Sequence, residues 1–463
     1  MSRNSTFRRA VSALWAFPLL SLVPLSLLVD IRAAALWLSV AAVGLALKWP
    51  TETVAIVLFS QFFPVASLLS AETGVGANID GLRLVGFAVL ITAASASVWR
   101  SRRPDGVAFL WLGLAAFYGL SLLWTAAFTE GARFFIRLIV PAALYWLARA
   151  LPNPDRLATA WQAGAISISV LAFILFISDP GSTRYLVDES FRYTIPFGGY
   201  FPAAFAFLSA TLAISFLVRA IRAHRIGPLI GFALFAAQTV ATQTRIAVAA
   251  LAFTSFIVVF AEQPTRKARL AWLTAAVFSG VVVLATSESV VAWFALRRGG
   301  GALSGLGSNV LGFIDLRGRL LLWGTVIERY RAANPFLGAG AGTAAAAVSA
   351  LDLPVTLSAP HQEYLRILTD SGLVGLTLLL AWAIAILRRT MKAIGSRFPD
   401  QDSKGRASEA LAISIMLLLT ALTDNSLDYY LLFPAYLAIT LAAQHDGEPL
   451  QPAAVEAPAR EPA

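Results

Sequence analysis

No cysteine occurs among the 463 residues of this chain. That excludes a disulfide framework, a thiolate zinc site and a cysteine nucleophile. Charge is also scarce: 13% of residues carry it, where a soluble domain has about a quarter. Histidine appears three times. Apolar surface fills the chain instead. Hydrophobic residues make up 58%, and apolar runs of about 18 residues or more recur along the sequence. Such runs cross a membrane as helices, because lipid offers backbone N–H and C=O groups no other partner. The fold class is an all-α polytopic membrane protein. The net charge of +10 reflects Lys and Arg in cytoplasmic loops, so nucleic acid is not an expected partner.

Charge, Pro and Gly break the chain into about fourteen expected spans. They run over 11–29, 31–49, 51–70, 82–99, 107–128, 132–149, 157–178, 197–218, 227–243, 246–261, 270–294, 371–387, 408–423 and 427–443. Polar segments interrupt them at 71–81, 179–196 and 297–366. Residues 1–294 form the N-terminal transmembrane part, 295–370 a large periplasmic segment, 371–443 the C-terminal helices and 444–463 a disordered cytoplasmic tail. Arg3, Arg8 and Arg9 precede the first apolar run, and no small-residue cleavage site follows, so a retained signal anchor is expected.

Placing both termini in the cytoplasm puts most of the 36 Lys and Arg inside, including Lys48, Lys267, Lys392 and Lys404. The cations left outside are all arginines, among them Arg184, Arg192, Arg245, Arg317, Arg319 and Arg366. Arg binds phosphate in a bidentate fork and stays charged when partly buried. An outer set made only of Arg suggests an anionic ligand on that leaflet. The bland alternative is headgroup contact and salt bridges to acids such as Asp188, Glu189 and Asp315.

Leu316 to Gly375 gathers the densest ionisable set. Leu316 to Arg331 reads as a helix on the outer surface, with Arg319 one turn before Trp323 and Asn334–Pro335 ending it. Gly338, Gly340 and Gly342 follow, in a loop able to approach a ligand by its backbone. SAPHQEYLRIL reads as a helix start, with Ser358 as cap and Pro360 in the first turn. His361 would then meet the positive end of the helix dipole among Arg, which favours neutral imidazole, the form a general base needs. His224 and His445 fall in cytoplasmic segments. One external His, no Cys and few acids argue against a metal. Ser358 and Asp352 leave a serine-triad option open, without a G-x-S-x-G turn to support it. No chain of buried carboxylates and no internal repeat favour a carrier.

At this point the chain resembles a known family. Thr242 to Arg245 (T-x-[ST]-R), Arg319 to Trp323 (R-x-x-x-W), Gly338 to Gly342, Pro360 to Arg366 (P-H-[NQ]-E-Y-L-R) and Ser371 to Gly375 (S-G-L-V-G) look like the O-antigen ligase and polysaccharide polymerase superfamily. The resemblance runs from about 230 to 440, and the histidine motif is its most specific part. It implies a GT-C-like inner-membrane glycosyltransferase of about 12–14 helices, multi-pass, with its active face periplasmic. The donor would be a glycan on undecaprenyl diphosphate, and the acceptor lipid A–core or a growing polysaccharide. His361 would be the base, and Arg245 and Arg319 would hold the diphosphate. Arg317, Glu363, Tyr364, Arg366 and Arg192 are candidates for support or for the acceptor side. No cofactor and no metal are implied, because Arg can stabilise the leaving diphosphate. O-antigen ligase is the leading expectation. A polymerase is the alternative, and a lipid-linked glycan transporter a distant one.

Overall fold

The computed structural model describes residues 44–60, 62, 88–96, 98, 105–151, 154–178, 184–187, 190–193, 202–242, 244–262, 317–351, 360–395, 401–422, 424–430 and 432–444. The expected spans 11–29, 31–43 of the second, and 270–294 lie outside these residues, as do Ser358, Asp352 and the tail beyond Gln444.

The protein is an all-α polytopic membrane protein. Its described helices are α1 (Pro50–Ser60), α2 (Gly106–Leu120), α3 (Phe128–Ala150), α4 (Asp155–Ser178), α5 (Pro202–Ala223), α6 (Ile226–Ala241) and α7 (Arg245–Glu262). After the undescribed stretch come α8 (Arg317–Arg331), α9 (Thr343–Ser349), α10 (Glu363–Gly395), α11 (Gln401–Thr420) and α12 (Phe433–Ala442). Five helical stretches among the described residues are long and apolar enough to cross a membrane, and four shorter apolar helices accompany them. The polar segment 179–196 holds a two-stranded antiparallel hairpin, β1 (Arg184–Val187) and β2 (Ser190–Tyr193), in which Arg192 stands opposite Tyr185. The sequence pattern did not anticipate it.

The core is built on α5, α11 and α12. From Ala204 to Leu212, α5 is buried on every side, as expected of a helix that is apolar all round. It packs against α6, α7 and α11, while α3 packs on α12 and α2 on α10. On α6 the exposed Ile226, Leu229 and Ile230 form a lipid-type face. Helix α2 starts at a cap: Asp105 Oδ1 accepts from Ala108 N–H at 2.8 Å, satisfying one of the orphan donors of a helix start.

One helix is not continuous. At Gly372 the backbone of α10 leaves helical values (φ 64°, ψ −163°), so residues 363–371 and 373–395 are separate segments. The opened backbone bonds across to the glycine-rich loop. Leu373 N–H reaches Pro335 O (2.9 Å), Val374 N–H reaches Phe336 O (3.2 Å), and Ala339 and Gly340 N–H reach the carbonyls of Thr369 (2.8 Å) and Asp370 (3.0 Å). A Cβ on Gly338 would meet Gly372 N at 2.5 Å, and one on Gly372 would meet Phe336 O. Only glycine fits there, since both residues also have positive φ. At Gly338, then, the glycine-rich stretch serves close approach of chain to chain, where the sequence had suggested approach to a ligand.

Candidate active site

Helix α8 sits on the bundle through a small apolar core. Leu322 and Val326 bury against Ala344 and Val348, with Trp323, Leu351 and Leu365 around them. Asn334 stops the chain after it, its Oδ1 accepting from Phe336 N–H (2.9 Å) and Leu337 N–H (3.1 Å). Asp370, fully buried, then seizes the start of α9. Its carboxylate accepts from Gly342 N–H (3.0 Å), Ala344 N–H (2.7 Å) and the Tyr118 hydroxyl (2.5 Å). A carboxylate at a helix N-terminus satisfies orphan donors and opposes the dipole. One side chain thereby ties α2, α9 and α10 together.

The histidine lies differently from the sequence expectation. Helix α10 begins at Glu363, so Pro360 and His361 precede it. The cap is Gln362, whose Oε1 accepts from Leu365 N–H at 3.0 Å. His361 adopts a left-handed backbone, φ 50°. Its Nδ1 faces Asp424 Oδ1 at 3.4 Å, with the ring 23% exposed and the Asp424 side chain 7% exposed. A carboxylate from a distant turn thus stands beside the ring, where the sequence led us to expect clustered arginines. Asp424 is itself held by Asn425 N–H (2.8 Å) and lies within 3.5 Å of the Tyr429 hydroxyl. Burial and then the Asp424 carboxylate push that hydroxyl well above the usual phenol range, so it stays a donor.

Beneath the histidine is a charge lattice. Arg366 donates to Asp428 Oδ1 (2.9 Å), lies 3.9 Å from Glu363 and covers the Phe134 ring at 3.7 Å. Arg137 donates to the same Asp428 oxygen at 2.6 Å. Glu363 Oε1 accepts from Leu427 N–H (3.1 Å), and its own N–H reaches Ala421 O (2.9 Å). Burial pushes the Asp428 carboxyl up, and the two guanidiniums outweigh it, holding it below the usual carboxylate range. The Arg366 side chain is 4% exposed, so removing Asp428 would strand a nearly buried guanidinium, at a cost of about 3–5 kcal/mol. Glu363 (0% exposed) and Arg366 (3%) are therefore supports of the turn that carries Asp424. Tyr364, half-buried, donates to Leu418 O at 3.0 Å.

The arginines are positioned by their helices. Thr242 ends α6 and Thr244 opens α7, its carbonyl accepting from Ala247 (3.0 Å) and Val248 (3.1 Å) N–H. Arg245 is therefore the first residue of α7. Ser408 bonds Glu262 at the far end of α7. Counting equally back along α7 and forward along α11 from that bond brings Arg245 level with the Asp424 turn. Arg317 and Arg319 open α8, and the next turn of α8 reaches the histidine segment: Trp323 Nε1 donates to Pro360 O at 3.1 Å. The backbones of Arg245, Arg319 and His361 thus converge on one end of the bundle. The side chains of Arg192, Arg245, Arg317 and Arg319 lie outside the described residues. Among the described residues, no three His, Asp or Glu side chains gather as a metal would need.

The arrangement, a partly exposed imidazole backed by a carboxylate at the level of two helix-start arginines, suits proton removal beside an anionic group. Residues 230–380 match the family model described as O-antigen ligase. The motif resemblance to the O-antigen ligase and polymerase superfamily is thereby supported over that stretch, which holds the arginine, glycine and histidine motifs. The chain is a multi-pass membrane protein, and its stretch 230–380 is similar to O-antigen ligase. No curated protein matches it. Asp424, Asp428 and Arg137 were not among the expected site residues. For the two acids the sequence signal was their position, Asp424 between the last two apolar runs and Asp428 at the start of the last one.

Proposed function

We propose that this O-antigen ligase-type protein is an inner-membrane, inverting, metal-independent glycosyltransferase. It moves a glycan from undecaprenyl diphosphate to a hydroxyl on lipid A–core at the periplasmic face, with both termini cytoplasmic. His361 Nε2 takes the proton of the acceptor hydroxyl, while Asp424 holds the Nδ1 proton and fixes the tautomer. The acceptor oxygen forms its bond to the anomeric carbon from the side opposite the diphosphate. The anomeric C–O bond breaks, and its electron pair leaves on undecaprenyl diphosphate. Arg245 and Arg319 stabilise that charge as it develops. Arg366, Glu363 and Arg137 hold the turn bearing Asp424; the 295–370 segment supplies His361 and Arg319, and Arg245 and Asp424 come from either side of it.

The observation that carries this reading is the His361–Asp424 pair, at the bundle end where α7 and α8 both begin. The test is a deletion strain analysed for lipopolysaccharide and secreted polysaccharide together. The expected result is lipid A–core without attached polysaccharide, together with accumulated lipid-linked glycan. Intact long lipopolysaccharide with loss of secreted polysaccharide would make the chain a polymerase instead.

A further inference from the structure

We propose that Trp323 is a positioning residue for His361, acting through the carbonyl of Pro360. The inference rests on the reading of His361 as the base. Indole has one donor and no acceptor, and the Trp323 N–H is spent on Pro360 O at 3.1 Å. The ring is half-buried in the small core between α8, α9 and α10.

The reason such a bond matters lies in the next residue. His361 has a positive φ, which a side-chain-bearing residue keeps only where its surroundings over-determine it. The downstream side is fixed: Gln362 caps Leu365 N–H, and Glu363 N–H bonds Ala421 O. On the upstream side, the Trp323 bond grips Pro360, which has no N–H of its own to anchor it. The indole therefore sets the angle at which the imidazole meets Asp424. It also fixes His361 against α8, the helix that opens with Arg317 and Arg319. The spacing of R-x-x-x-W acquires a physical meaning, because one turn of α8 separates the arginine end from the grip on the base.

The test replaces Trp323 by Phe, which keeps an aromatic ring and loses the N–H. It is paired with 3-benzothienylalanine at the same position, which keeps ring size and puts sulfur where the N–H was. Thr369→Val is the control, since it removes another bond between α10 and α8, from Thr369 Oγ1 to Val326 O at 3.3 Å. Purified proteins are assayed with lipid-linked glycan and acceptor. Both Trp323 variants are expected to lose roughly tenfold or more in kcat, with KM for both substrates nearly unchanged, because misplacing a catalytic group by a fraction of an ångström has that scale of effect. Thr369→Val is expected to shift Tm and leave kcat alone. If the benzothienyl variant turns over like wild type while His361→Gln is inactive, the positioning inference is overturned and the base assignment stands. A kcat loss in Thr369→Val equal to that of the Trp323 variants would reduce Trp323 to a general packing role. Wild-type turnover in His361→Gln would overturn the base assignment and this inference with it.

Discussion

At the end of the bundle that carries Asp105, one carboxylate is shared by Arg149, Arg389 and the Tyr145 hydroxyl, the last at 2.6 Å, while its other oxygen caps α2. Nearby, Arg222 pairs with Glu262 at 2.9 Å and Arg406 with Asp155 at 2.6 Å. Every one of these pairs joins different helices. At the end that carries His361, Arg366 and Arg137 share Asp428, Asp370 holds the start of α9, and Asp424 faces the ring. Both ends bury charge to hold helices together. Among the described residues, only the second sets a partly open histidine ring against a carboxylate. Abundance of charge therefore does not mark the site, whereas a partly open histidine backed by a carboxylate does.

The largest expected effect breaks the comparison at its centre. General-base help is worth on the order of 10²–10⁴ in rate, so His361→Ala should lose that much turnover while the protein still inserts and binds lipid diphosphate. Glutamine can replace a hydrogen bond of the ring but cannot take a proton, so His361→Gln should be as slow. Turnover by the Gln variant at the wild-type rate would make His361 a structural residue like those at the Asp105 end.

Arg319→Lys keeps the charge and loses the bidentate fork. Most activity should go, whereas Arg331→Lys at the far end of α8 should leave turnover near normal. Equal mild losses at both would place Arg319 among the salt-bridge arginines. A smaller effect is expected from Asp424→Asn, which keeps the shape beside His361 Nδ1 and removes the carboxylate that orients it. Its kcat should drop by roughly 10²-fold with KM retained. No change in kcat would detach Asp424 from the mechanism.

How far the sequence exposed this site depends on sequence distance. The spans were legible because lipid forces helices on long apolar runs; the expected 157–178 became Asp155–Ser178, and 246–261 became Arg245–Glu262. The surface helix with Arg319 and Trp323 was legible from its pattern. His361 stood out by rarity. Its partner did not, because 63 residues separate it from Asp424 and no local pattern encodes that contact. Arg366 was visible as part of an arginine cluster, but only its burial on Asp428 and Phe134 assigns it to support. The helix start was misread because Pro360 favours a first turn, while its carbonyl and the φ of His361 serve another arrangement. The hairpin at 184–193 escaped because strands of four residues carry too little alternation to register.

Asp105→Asn tests the other end. The carboxylate, a fifth exposed, holds two guanidiniums and caps α2. Its loss should cost roughly 2–3 kcal/mol, less than at Asp428, because Arg149 and Arg389 keep more solvent than Arg366 does, and thermal unfolding in detergent reads this directly. The folded fraction should keep wild-type kcat. A fall in kcat without a fall in Tm would mean that the Asp105 end takes part in the reaction.

The smallest effect separates the two ends by pH. Asp428 is held below the usual carboxylate range in the folded protein, so its folded-state pKa lies beneath the value of about 3.9 for a free Asp. The stabilisation it gives is fully present above that unfolded value. It is lost as pH falls through the lower folded-state value, when protonation frees Arg366 and Arg137 from their shared partner. Between pH 7 and 5 the contribution should be flat, and the loss should be confined to the region below about pH 4. Asp428→Asn should start less stable, because it strands Arg366 as a buried charge, and its Tm should fall less steeply in acid than that of wild type. Melting curves of both proteins at closely spaced pH values measure the difference. Parallel acid slopes would mean that Asp428 titrates as a free carboxylate does and that the Arg366 lattice does not anchor the turn beneath His361.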